Sequence, residues 1–194
     1  MKLNLDIRYP SPAAWLDAVL GNFEAFLIDH ADCERKASAM ALSFVAKYPN
    51  RTEIIPELIE TALEELEHFK LVYELMEKRN IQLPSGMAKD PYISELLKSS
   101  RTGLEERFLD RLLIASVAET RGAERFRLIA ENLDDEELKK FYKMLWTSEA
   151  KHGHIYVKMA LNYFPENNVY TWLDRWTDIE SEVVKKLEIR SALH

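Results

Sequence analysis

Cysteine is almost missing from this chain: Cys33 is the single one in 194 residues. One thiol cannot make a disulfide within the chain, a CxxC redox pair, or a Cys₄ zinc or iron–sulfur site. Glycine and proline are scarce too, at 5 and 7. A sandwich or barrel of short strands needs turn residues at every hairpin, so a turn-rich β fold is excluded. Long apolar runs are also lacking. The longest uncharged stretch, Ala37–Ala46, has ten residues, against about 18–20 for a membrane span. The N-terminus, MKLNLDIRYP, has no apolar leader segment. The expectation is a protein of a reducing compartment, the cytoplasm, with no membrane partner. Positive charge is in deficit, 26 basic against 33 acidic side chains for a net −7, which argues weakly against nucleic acid.

What is present is apolar material in helical order. Apolar residues are 47% of the chain, and the length suits one domain over residues 1–194. Ser11-Pro12 reads as a cap and first helical residue of a short helix ending near Gly21. A long helix follows, about 22–47, with Phe23, Phe26, Leu27, Ala31, Ala37, Ala41, Phe44 and Tyr48 at helical spacing. Tyr48-Pro49-Asn50 breaks it. Thr52 can cap the next helix, which runs to about Arg79 with Pro56 in its first turn, where a missing N–H costs little. Asn80 suits its C-terminal end. Residues 80–101 form a long connection with room for a short helix after Asp90-Pro91. A third long helix spans about 102–132. Asp134 and Glu137 predict a capping box for the fourth, about 135–164. A last helix, about 169–189, carries Trp172, Leu173, Trp176, Ile179, Val183 and Leu187. Two short-looped hairpins joined by a long crossover predict an all-α, ferritin-like four-helix bundle, with a short N-terminal and a longer C-terminal helix added.

Charged residues interrupt the apolar stripes at matching places. Glu65 and His68 form one Glu-x-x-His unit, and Glu149 and His152 form another. Residues three apart share a helix face, so each carboxylate and imidazole can grip one metal ion. A charge on a buried stripe costs several kcal/mol, roughly, unless it is paired or metal-bound. The other two helices each offer a carboxylate, Glu34 on one and Glu119 or Glu124 on the other. In an antiparallel hairpin, level residues are equidistant from the loop. Glu34 and Glu65 centre between Pro49 and Asn50, inside a turn. Glu119 and Glu149 centre on Asp134, also in a turn, whereas Glu124 and Glu149 would centre inside the fourth helix. Glu119 is therefore the ligand, and Glu124 a neighbour or surface residue.

The two hairpins repeat one arrangement. The predicted set is Glu34, Glu65, His68, Glu119, Glu149 and His152: one Glu from each of two helices and Glu-x-x-His from each of the others. Hard oxygen and borderline nitrogen donors without thiolate suit iron or manganese. By analogy Glu65 and Glu149 bridge two metals while Glu34 and Glu119 are terminal. His30 and Tyr156, each one turn from a ligand, join Glu124 as candidates for a supporting shell. For His30 a hydrogen-bonded core role competes, and His154 is expected to be exposed. Cys33 reads as a small buried hydrophobe. Gly122 and Gly153 stand beside ligands, where they either leave space for a substrate or dioxygen or allow close helix packing.

The wider sequence resembles the tRNA 2-methylthio-N6-isopentenyladenosine hydroxylases, the MiaE family. The resemblance lies in residues 29–38 (DHADCERKAS), 64–79 (EELEHFKLVYELMEKR), 110–126 (DRLLIASVAETRGAERF) and 133–156 (LDDEELKKFYKMLWTSEAKHGHIY), and in their spacing. It implies a non-haem di-iron monooxygenase that uses O2 and external electrons to hydroxylate the isopentenyl group of a tRNA adenosine. It further implies two iron ions on the six ligands, no catalytic residue beyond them, tRNA as partner, and a separate reductase. A monomer or dimer is expected rather than a ferritin cage. The alternative is a ferritin-like oxidase or oxygenase of a small molecule; an iron-handling protein and a metal-free bundle are further from the pattern. Two basic clusters, Lys98, Arg101, Arg107 and Arg111, and Arg121, Arg125 and Arg127, are expected to be ordinary solvated helix faces.

Overall fold

A computed structural model describes residues 6–86 and 89–194. The first five residues, half of the N-terminal segment read above, and residues 87 and 88 of the crossover lie outside the described residues. The elements are helices α1 (Ala13–Gly21), α2 (Phe23–Lys47), α3 (Ile55–Lys78), α4 (Pro91–Lys98), α5 (Leu104–Asn132), α6 (Glu136–Leu161) and α7 (Glu166–Lys186), with a 3₁₀ turn at Thr52–Ile54. Among the described residues there is no strand. They divide into two compact units: Asp17–Ala88 with Arg190–Leu193, and Met1–Leu16 with Lys89–Ile189 and His194.

In the Asp17–Ala88 unit, α2 and α3 pack as an antiparallel hairpin. Asn22 starts α2, its side chain accepting the Ala25 N–H at 3.2 Å. Phe26, Leu27, Ala31, Ala41 and Phe44 of α2 are buried, as are Leu58, Ala62, Val72 and Met76 of α3. Each large apolar side chain removed from water contributes roughly 1.5–3 kcal/mol. Ser38 Oγ donates to the Ala62 carbonyl at 2.8 Å, pinning the register of the pair. Thr52 does not cap α3. It opens the 3₁₀ turn, and the cap falls on Ile54 without a side-chain bond. Pro56 sits in the first turn as expected. At the other end Asn80 takes φ 57°. The Asn80 and Ile81 N–H groups bond back to Glu77 and Met76, a Schellman closure that suits asparagine.

In the Lys89–Ile189 unit, α5 and α6 form the second hairpin and α7 packs on both. Asp135, rather than Asp134, caps α6, accepting the Glu137 and Leu138 N–H groups at 2.9 and 3.2 Å. Asp90 caps α4 in the same way. Helix α7 starts three residues before the expected Val169, because Pro165 already supplies the cap. Ser11 does not bond to α1. Its N–H and hydroxyl both go to Glu124, at 2.8 and 2.7 Å. Trp176 is fully buried and its Nε1–H donates to Asp110 Oδ1 at 3.1 Å.

Candidate metal centre

Helix α2 brings Glu34, and α3 brings Glu65 and His68, to one buried spot. The three are 3%, 0% and 6% exposed, and a donor atom of each lies within 4.8 Å of the others. The i, i+3 spacing holds His68 Nδ1 3.2 Å from Glu65 Oε2, and the hairpin register leaves it 3.6 Å from Glu34 Oε2. His30 Nε2 lies 2.7 Å from Glu34 Oε1. An ionised carboxylate only accepts, so that nitrogen carries the proton. His30 therefore turns one oxygen of Glu34 toward itself and leaves Oε2 facing His68. His30 is thus a buried histidine hydrogen-bonded to Glu34.

The second hairpin repeats the pattern. Glu119 on α5 and Glu149 and His152 on α6 also offer donor atoms within 4.8 Å of one another. Glu149 and His152 are 3% and 0% exposed, Glu119 9%. His152 Nδ1 lies 3.5 Å from Glu149 Oε2, close to the distance in the first hairpin. Ser116 Oγ donates to the Gly153 carbonyl at 2.7 Å, so that glycine lies where α5 and α6 pack. Gly122 is different: a Cβ placed there would meet only Glu149 Cγ, at 3.9 Å. That is an ordinary contact, so packing does not demand glycine, and a methyl-sized gap is left beside Glu149.

The donor chemistry of each half fits a metal. Two carboxylates and a neutral imidazole carry a charge of −2, which one divalent cation balances. Buried charges of one sign otherwise cost several kcal/mol, roughly. Oxygen and imidazole donors without thiolate match iron or manganese better than a structural zinc.

The remaining candidates separate. Tyr156 is buried one turn after His152. Glu124 accepts from the Ser11 N–H and hydroxyl and from Arg121 Nη1 at 3.2 Å. His154 is half-buried rather than exposed. Cys33 is half-buried as well, its thiol 3.6 Å from Asp29 Oδ2.

The basic clusters are not simply solvated. Arg101 forks onto Asp110 and lies over Trp172, its Cζ 3.4 Å from the ring centroid. Arg121 is fully buried, bonding Glu180 at 2.7 and 3.0 Å and the Tyr9 carbonyl at 2.8 Å. Arg125 lies beside Trp15. Burial, and after it the charge of Arg121, brings its pKa down to about 10. Sequence reasoning missed Asp110 and Glu180, which anchor this network. The signal was there: each puts an acid among the apolar residues of its helix.

Comparison with known proteins bears on what such a site serves. The family model described as tRNA-(MS[2]IO[6]A)-hydroxylase (MiaE) matches residues 3–194. A Pseudomonas putida protein named tRNA 2-(methylsulfanyl)-N(6)-isopentenyladenosine(37) hydroxylase is 35% identical over 185 residues, covering 95% of this chain and 89% of its own. A Salmonella typhimurium protein of the same name is 28% identical over 79% of this chain and 74% of its own. Among solved structures, a Synechococcus protein described as having aldehyde deformylating oxygenase activity superposes with a TM-score of 0.89. It is 30% identical, over 95% of this chain and 92% of that one. The all-helical, ferritin-like fold expected from the loop lengths is the fold of this chain.

Proposed function

The chain belongs to the MiaE family of tRNA hydroxylases, and from that membership we propose how its residues serve the reaction. It is an oxidoreductase, a monooxygenase that hydroxylates the isopentenyl group of 2-methylthio-N6-isopentenyladenosine in tRNA. The observation that carries the site is the repeated half-site, in which each hairpin buries two carboxylates and one imidazole at matching spacing. In this reading the two units are halves of one ferritin-like domain. Glu34, Glu65 and His68 would hold one iron ion, and Glu119, Glu149 and His152 a second. Iron bound there would supply activation of dioxygen, with electrons from a separate reductase.

The chain's own part is positioning and exclusion. His30 fixes the Glu34 carboxylate through its Nε2–H. The i, i+3 pairs on α3 and α6 keep carboxylate and imidazole side by side, where each pair would hold one ion. Buried Phe26, Leu27, Leu145 and Tyr156 on the same helices keep the ligands away from bulk water, which strengthens electrostatic interactions among them. Gly122 leaves room beside Glu149 for a reacting group. No helix among the described residues is long and apolar enough to cross a membrane. The proposed setting is the cytoplasm, where tRNA is modified, with the protein working as a monomer or dimer.

The test is turnover. Iron-reconstituted protein, reductant, dioxygen and tRNA bearing the unhydroxylated nucleoside are incubated, and the digest is read by mass spectrometry. One added oxygen on the isopentenyl group is expected. The likeness to the Synechococcus structure favours one second reading, oxygenation of an aldehyde. Unchanged tRNA together with turnover of such a compound would decide for it.

A further inference from the structure

An enzyme of tRNA needs a surface that attracts phosphate, and a chain at −7 must concentrate its positive charge somewhere. The arginine clusters noted in the sequence are largely engaged within the fold. Arg101, Arg121 and Arg125 are committed to Asp110, Glu180, Ser11 and aromatic rings, and Arg127 to Glu131.

Helix α6 is different. Lys140, Lys143, Thr147, Lys151, His154 and Lys158 recur at intervals of three and four, which aligns them along one face. The four lysines and Thr147 are exposed, and His154 is half-buried. After Glu137 the single acidic residue in the helix is Glu149, which is 3% exposed and points the other way. Lys139 is paired with Glu136, but Lys140, Lys143 and Lys158 have no acidic partner among the described residues. From Lys140 to Lys158 the stripe runs about 27 Å at 1.5 Å per residue. The exposed face of α3, by contrast, carries Glu60, Glu67 and Glu74. Positive charge gathered along one helix of an acidic protein is the electrostatic footprint of a nucleic-acid surface.

We propose that the outer face of α6, through Lys140, Lys143, Lys151 and Lys158, grips the phosphate backbone of the RNA substrate. The inference rests on the tRNA hydroxylase reading above and assigns the surface which that reading leaves open. The same helix carries Glu149 and His152 on its opposite side. A helix with its side chains is about 10–12 Å across, so the gripped backbone and the ligands are held one helix width apart by a single rigid element. These lysines contact no reacting atom; their part is substrate binding.

The experiment uses the full iron-loaded protein and a synthetic anticodon stem-loop carrying 2-methylthio-N6-isopentenyladenosine. Binding is followed by fluorescence anisotropy between about 50 and 200 mM salt. At a slope of roughly −0.7 to −0.9 per neutralised phosphate, four contacts account for about a 50- to 150-fold loss of affinity over that range. The variant K140Q/K143Q/K151Q/K158Q should flatten the logarithmic slope by about 3 to 4. It should raise KM with kcat kept, the signature of binding lost equally from ground and transition states. The double variant K140Q/K143Q should show about half of the slope change. Melting temperature and iron content should stay at the wild-type values in both. E60Q/E67Q/E74Q on α3 should leave the slope as it is. A quadruple variant with wild-type slope and KM, beside a wild type that turns over the stem-loop, overturns the proposal. A wild type that does not hydroxylate the stem-loop overturns the functional reading instead, and the salt slope still decides the surface.

Discussion

Gly122 separates two accounts of why a glycine stands in the middle of α5. If close packing demanded it, any side chain there should strain the hairpin. The geometry says otherwise, because an added Cβ would touch only Glu149 Cγ, at 3.9 Å. Replacing a helix-interior glycine by alanine removes backbone freedom from the unfolded chain and is worth about 0.5–1 kcal/mol. For a chain of this size, each kcal/mol moves the midpoint by roughly 2–4 °C. Gly122→Ala should therefore melt about 1–4 °C higher than wild type. The measurement is calorimetry on the metal-free protein, so that ligand binding does not enter. The methyl also fills the gap beside Glu149, so turnover should fall even as stability rises. Gly122→Leu, which needs more room than the gap offers, should abolish turnover while the protein still folds. A lower melting temperature for Gly122→Ala would refute the reasoning and return Gly122 to the packing account.

Three other predictions test the same physical picture. Glu180→Ala leaves buried Arg121 without its closest carboxylate, 2.7 Å away, and should cost about 3–5 kcal/mol in urea unfolding; replacing both partners by apolar residues should recover most of it. His30→Leu removes the donor on Glu34 Oε1 and should weaken metal binding about 10- to 100-fold, whereas His152→Ala should remove a metal outright, both read by competition with a chelator and metal analysis. The fourth prediction concerns acid. Burial raises the Asp90 pKa, but His194, 3.6 Å away, and the N–H groups of Ile93 and Tyr92 outweigh it, so the folded value lies below the usual one. A lowered carboxylate pKa gives stability that is whole above the unfolded value near 3.9 and is lost as pH falls through the folded value. Asp90→Asn keeps a competent helix cap and should unfold with a shallower loss of stability below about pH 4 than wild type. Equal acid profiles for the two proteins would count against the charge at Asp90.

The hairpins and the two buried carboxylate–histidine clusters were legible in the sequence because both depend on short-range order. The 3.6-residue period shows which face of a helix is apolar, so Glu65 and His68 stand out as charges where charge is costly. Equidistance from a turn put Glu119 rather than Glu124 level with Glu149; Glu119 offers a donor atom within 4.8 Å of those of Glu149 and His152, while Glu124 bonds to Ser11 and Arg121. What stayed hidden depends on partners far apart in the chain. Arg121 and Glu180 are 59 positions apart, and Asp110 and Trp176 are 66. No local period reveals that an arginine points inward when its carboxylate comes from another helix. That is why Arg121 and Arg125 read as solvated cations in the sequence although both are buried. Net charge misled for the same reason. The −7 counts buried Glu34, Glu65, Glu119, Glu149, Asp110 and Glu180, none of which faces an approaching anion. An approaching polyanion would meet the face of a single helix, and on α6 exposed lysines run from Lys140 to Lys158 beyond the acidic first turn. Composition therefore argued against RNA where the distribution of exposed charge argues for it.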